Sequence, residues 1–190
     1  YSGRWNMRSL GLGMAAALLV SGCSFQAALD KMVDPARQRE IVDIAQRICT
    51  DPDSVRTELH PEIATSIDQA KAALPRECPG AGARWQLASY QWKANTTPQL
   101  SERQEEVVVV GAKDGKWSTI EMRFYAQNDQ PLQITLWHIL ASDKRPPALD
   151  YIDSYNQTAK VMTFVGPAIA IAAIGAVVWM FRRRRAKRAA

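Results

Sequence analysis

Five side chains could carry nucleophilic, redox or acid–base chemistry: Cys23, Cys49 and Cys78, which are all the cysteines, and His60 and His138, which are both histidines. His138 lies among alternating apolar residues, where a carboxylate such as Glu121 could serve it as a proton partner. The competing reading is a satisfied buried or rim histidine. His60 precedes Pro61 and reads as a surface residue or a helix start. Cys49 and Cys78 could form a disulfide, remain as two buried thiols, or hold a metal. No CxxC occurs and no histidine sits at ligand spacing from either cysteine, so zinc is disfavoured. There is no Gly-rich phosphate loop, GxSxG, HExxH or carboxylate-ligand repeat. The expectation is therefore a protein that is not an enzyme, with no cofactor and no metal. Aromatic residues offer binding rather than reaction: Trp92, Trp117, Tyr125 and Trp137, with His138, could line a pocket for an apolar or flat ligand. Ordinary core and cross-strand pairs explain them as well.

The elements that must position these groups follow from periodicity. Asp34 and Pro35 start a helix over 34–48, where Ile41, Ile44, Ala45 and Ile48 share one face and Arg37, Arg39, Glu40, Asp43 and Arg47 fall largely elsewhere on the wheel. His60-Pro61 opens a second helix over 61–74, with Ile63, Ile67, Ala70 and Leu74 in period. A Cys49–Cys78 disulfide would then clamp a helical hairpin. Beyond Gly82 the period becomes two, which predicts strands at about 84–94, 105–111, 116–126 and 132–141 joined by short turns, hence antiparallel neighbours. Val107 to Val110 shows no polar face, as in a strand covered on both sides or central to the sheet. In the last strand Leu132, Ile134, Leu136 and Leu140 share a face with His138, with Gln133, Thr135 and Trp137 on the other. The fold class is α+β: two or three N-terminal helices packed on a curved four-stranded antiparallel sheet, plus a C-terminal transmembrane helix.

On the helix 34–48, the segments 54–59 and 61–74, and the sheet ending in 132–140, this pattern resembles the nuclear transport factor 2-like (cystatin-like cone) superfamily. That resemblance implies a sheet wrapped around a helix to leave a pocket, in proteins that serve as binding modules, dimerisation domains or occasional enzymes.

At the N-terminal end, residues 7–23 carry one charge, an apolar stretch over 10–20 and then Val20-Ser21-Gly22-Cys23. Residues 1–6 precede the first methionine and stand outside this reading. The stretch has the layout of a secretory signal peptide and is too short to span a bilayer, which needs about 20 residues. Its last four residues resemble the lipobox of bacterial lipoproteins. The resemblance implies that Cys23 is diacylglycerated and acylated at the new amino terminus, and that Ser24 does not retain the protein in the inner membrane. Asn95-Thr96-Thr97 matches a glycosylation sequon, which a bacterial lipobox discounts.

At the other end, residues 161–181 contain no charge and are followed by Arg182, Arg183, Arg184, Arg185, Lys187 and Arg188. At 1.5 Å per residue this predicts a membrane-crossing helix with a cytoplasmic basic foot. Ala168, Ala172 and Ala176 at spacing four would permit close association with another helix. The expected organisation is a signal segment over 1–22, a lipid-anchored linker over 23–33, a periplasmic domain over 34–142, a linker over 143–160, the transmembrane helix over 161–181 and a basic tail over 182–190. The expected residence is the bacterial inner membrane.

The whole chain has 190 residues, 47% of them hydrophobic and 23% charged, and a net charge of +5. This fits one modest folded domain and excludes a disordered or collagen-like chain. Counted between Cys23 and residue 160, however, 16 bases face 19 acids for a net −3. Nucleic acid is not an expected partner of such a surface. The function expected is an envelope lipoprotein that binds membrane lipid and another envelope protein or a small apolar ligand. The alternatives are an accessory subunit acting through its transmembrane helix, and an envelope enzyme using His138 with Glu121.

Overall fold

The computed structural model describes residues 24–189. The described residues divide into two compact units, 29–152 and 24–28 with 153–189.

In the larger unit, helix α2 (Pro35–Thr50) starts where the sequence says it must. The Asp34 carboxylate accepts the Ala36 N–H at 2.6 Å, and Pro35 occupies the first turn, where its missing N–H is harmless. Its Ile41, Ile44, Ala45 and Ile48 are buried, and the helix packs on the first two strands of the sheet. Four long strands follow: β1 (Arg84–Thr96), β2 (Ser101–Lys113), β3 (Lys116–Gln127) and β4 (Gln133–Ser142). They form one antiparallel sheet in the order β1-β2-β3-β4, so the apolar Val107–Val110 run is interior, as expected. Asp114 and Gly115 close the β2–β3 hairpin with φ of 50° and 79°, the left-handed pair a two-residue turn needs.

Gly111 on β2 has no room for a side chain, because a Cβ there would lie 2.6 Å from the Trp85 ring. Gly111→Ala is expected to cost about 1 to 3 kcal/mol by displacing that ring, read as a lowered urea midpoint with an unchanged slope.

Three features differ from the sequence reading. The single helix expected over 61–74 is broken into a 3-10 turn at Pro61–Ile63, helix α3 (Ser66–Ala70) and helix α4 (Leu74–Glu77), after a further 3-10 segment at Pro52–Glu58. Proline at positions 52, 61 and 75 supplies no backbone donor, and each of the three opens a new short piece. The inward face persists without the helix: Ile67 and Leu74 are buried. Second, the register of β4 slips at Thr135, because Arg123 opposes Leu136 while Phe124 opposes Ile134. This bulge exchanges the faces beyond it. Trp137 and Ile139 therefore join Ile134 on the helix side, and Leu136, His138 and Leu140 stand exposed on the other, which reverses the expected parity.

Third, among the described residues no helix is long and apolar enough to cross a membrane. The transmembrane helix expected over 161–181 is thereby corrected, and with it the single-pass topology and the basic cytoplasmic foot. The apolar stretch is one part of α5, a helix of 43 residues over Pro147–Ala189. The helix is assigned without a break from the expected linker through the apolar stretch, so Asp150, Asp153, Lys160 and residues 182–188 all belong to it. The start of α5 belongs to the larger unit: Leu149 is buried with Ala88 and Val110, and Trp117 and Ile152 pack around them. This covers one end of the sheet face opposite α2.

In the smaller unit, helix α1 (Phe25–Met32) begins within the segment expected to be a linker. The Phe25 N–H donates to Asn156 Oδ1 at 2.7 Å, and the Phe25 and Tyr155 rings meet edge to face, 6.1 Å between centres. Cys23 and the lipobox lie outside the described residues. Ala168, Ala172 and Ala176 lie along α5.

Candidate functional site

Because β4 is an edge strand, its far side needs cover, and the broken helical segment supplies part of it. The His60 N–H donates to the Ile134 carbonyl at 2.8 Å, beside a one-residue parallel bridge between Leu59 and Ile134. At the other end the Ala141 N–H donates to Glu77 Oε2 at 2.8 Å. Glu77 is itself placed by Ser118, whose hydroxyl donates to the Glu77 carbonyl. Between these two caps runs a groove of about 480 Å³, walled by Ile63, Ser66, Gln69 and Ala70 on one side and by residues 135–139 of β4 on the other. The Trp137 indole N–H donates to Ser66 Oγ at 2.8 Å, fixing a flat apolar wall.

The groove gathers only part of the expected pocket. Trp137 and His138 line it. Trp92 is 54% exposed on β1, the opposite edge of the sheet. Trp117 is packed among the residues around Leu149. The Tyr125 hydroxyl donates to Glu102 Oε1 at 2.8 Å, and that hydrogen bond, with burial, pushes the phenol above its ordinary range. The aromatics thus lie on different strands and faces and do not enclose one cavity.

Glu121 and His138 are direct cross-strand neighbours in the β3–β4 ladder. They nevertheless serve different spaces. Glu121 lines a second, polar cavity of about 200 Å³ on the exposed sheet face, with Gln91, Glu106 and Arg123, where Arg123 pairs with Glu106 at 3.2 Å. His138 lines the edge groove. A proton relay between them would work on an open face without a bound substrate held against both groups.

Cys49 and Cys78 are joined in a disulfide, with their Cα atoms 5.7 Å apart. It ties the last turn of α2 to the residue after α4, directly beside Glu77, and so secures one cap of the groove. Among the described residues no group of three metal-ligating side chains occurs.

The most polar element of the core was not singled out by the sequence. Glu105 on β2 is completely buried. Arg37 reaches it from α2, its Nε and Nη2 donating to Oε2 at 3.0 and 2.8 Å, and Arg103 donates to Oε1 at 2.6 Å. The Arg37 guanidinium also lies 4.5 Å above the Phe124 ring and pairs with Glu40 at 2.9 Å. Burial opposes the Arg37 charge, yet its hydrogen bonds to Glu40 and Glu105 prevail and leave its pKa above the ordinary value. Burial and the nearby Glu105 charge push the Tyr90 phenol up. A surface cluster forms beneath α3, where Arg56 and Lys71 both pair with Asp53 and Asp68. Hydrogen bonds from Lys71 and Arg56 hold Asp53 below the usual carboxylate range, and Arg56 chiefly does so for Asp68. These networks stabilise the walls without presenting an unpaired charge to the groove.

No family model, curated protein or solved structure matches the chain.

Proposed function

We propose that the chain is a non-enzymatic binding module of the bacterial cell envelope, exported, held to the membrane by lipid on Cys23, and engaging a partner protein through the groove beside β4. The observation that carries this is the groove itself, about 480 Å³ between two fixed caps, with a hydrogen-bonded tryptophan as one wall. Two features support the compartment. Val20-Ser21-Gly22-Cys23 offers the thiol nucleophile that lipid attachment requires after small residues. The Cys49–Cys78 disulfide is a bond that persists in oxidising compartments. A lipid tether would raise the module's effective concentration for partners at the same membrane. The resemblance to the cystatin-like cone superfamily belongs to this reading, since binding modules are among the proteins it implies.

The test is photo-crosslinking from a probe at Gln69, which lines the groove, in cells producing the full chain. A discrete adduct is expected in the membrane fraction. Ala70→Trp, which fills the groove, is expected to reduce it about tenfold or more, equivalent to about 1.4 kcal/mol of binding. Lys93→Ala, exposed on β1 at the opposite edge of the sheet, is expected to preserve it. Absence of an adduct, or an adduct indifferent to Ala70→Trp, would defeat the proposal. Loss of the cellular phenotype in His138→Ala with the adduct intact would favour the enzyme reading instead.

A further inference from the structure

The backbone of β4 points to what kind of segment the groove takes. Ala141 turns its N–H away from β3, toward Glu77, and Ile134 turns its carbonyl away, toward His60. In an antiparallel ladder this orientation recurs at every second residue. Counting back from Ala141 through the register with β3, Ile139 and Trp137 must also aim both N–H and C=O outward. Among the described residues neither backbone group is bonded on that side. They lie in the stretch that the groove leaves open.

Sheet edges that must stay single are usually blunted by charges, proline or cover. The ten residues of β4 contain neither Asp, Glu, Lys, Arg nor Pro. The opposite edge strand, β1, carries Arg84 and Lys93. Leu59 already adds to β4 as one residue of a fifth strand, and Pro61, lacking an N–H, ends that addition. Six residues then remain free before the Glu77 cap, a span of about 20 Å.

We infer that β4 is a docking edge for an extended peptide segment of a partner protein, which adds as a fifth strand along residues 135–140 and sets alternate uncharged, apolar side chains into the groove. Backbone pairing supplies affinity and the groove supplies selectivity. A second copy of this chain fits less well. Six paired residues between protruding caps bury far less than the roughly 1,200 Å² of a stable interface. The inference rests on the binding-module reading and narrows it to one recognition mode.

The experiment uses the isotope-labelled full chain and a capped hexapeptide of alternating valine and threonine. Its control is the same peptide N-methylated at alternate amides. The unmodified peptide should slow solvent exchange of the Trp137 and Ile139 amides about tenfold or more at saturation, and the N-methylated peptide should not. Ile139→Pro removes one outward N–H while sparing the bonds to β3, so it should abolish the effect with the interior amides of Val107 and Val109 still protected. Equal effects of both peptides, or none at these two amides, would overturn the inference. So would protection that rises with chain concentration without peptide, which would identify a second copy. A Gln69 adduct that survives Ile139→Pro would remove strand addition and leave the binding module standing; loss of the adduct in the unmodified chain would remove both.

Discussion

Arg37→Met is expected to lower the unfolding free energy by about 3 kcal/mol, near the bottom of the range for breaking a buried ion pair. The size follows from what is left behind. Glu105 is fully buried and loses two of its three guanidinium hydrogen bonds. Arg103 still reaches it at 2.6 Å, but Arg103 is half-exposed and spends part of its charge on water. That remaining partner is why the loss should not reach the upper end, near 5 kcal/mol. The contact with the Phe124 face disappears as well, worth about 1 kcal/mol. The double variant Arg37→Met with Glu105→Leu should recover most of the loss, because the cost lies in the uncompensated carboxylate. Urea unfolding of the three variants and the parent closes the cycle. A loss below about 1 kcal/mol in the single variant, or none recovered in the double, would show that the pair does not hold α2 to the sheet.

Removing the Cys49–Cys78 bond is the second large effect. The bond closes a loop with 29 residues of separation, and the chain-entropy model assigns it about 3 to 4 kcal/mol. The double substitution Cys49→Ala with Cys78→Ala should show that loss in urea unfolding. The native chain should migrate faster oxidised than reduced, and these two thiols should become alkylatable only after reduction. Equal mobility with both thiols open in the native protein would rule the bond out. The effect should also be uneven. The bond lies next to Glu77, whose carboxylate caps Ala141, so the far end of β4 should lose exchange protection before α2 does.

Much of the architecture was legible because local signals agreed with the global outcome. Asp34-Pro35, the isoleucine spacing of α2 and the period-two runs after Gly82 each specify local structure that the fold keeps. The break-up of 61–74 was harder to read, since its inward face keeps helical spacing whether or not hydrogen bonding continues across the gaps. The Arg37–Glu105 pair had a visible signal: Arg37 stands four residues before Ile41 on the buried stripe, and Glu105 shares the parity of Val107 and Val109. A wheel that sorts residues by charge sends such a pair to solvent, although opposite charges can satisfy each other inside. At the C-terminal end, hydropathy over 21 residues described composition correctly. It could not say that the segment would be one part of a helix of 43 residues with polar residues at both ends. The groove was half visible. Trp137 and His138 were chosen, but Ile63, Gln69 and Ala70 come from a segment whose path no periodicity fixes.

The extra residue at Thr135 gives β4 a phase. Before it, odd and even positions obey one rule; after it, the opposite one. Pairing Thr135 like any other residue, with no bulge, would shift the phase back. Leu136, His138 and Leu140 would turn beneath the helices, while Trp137 would swing out and release Ser66. The groove wall is therefore written not in any one side chain but in one unpaired position, and the bulge decides which letters of the strand face the groove.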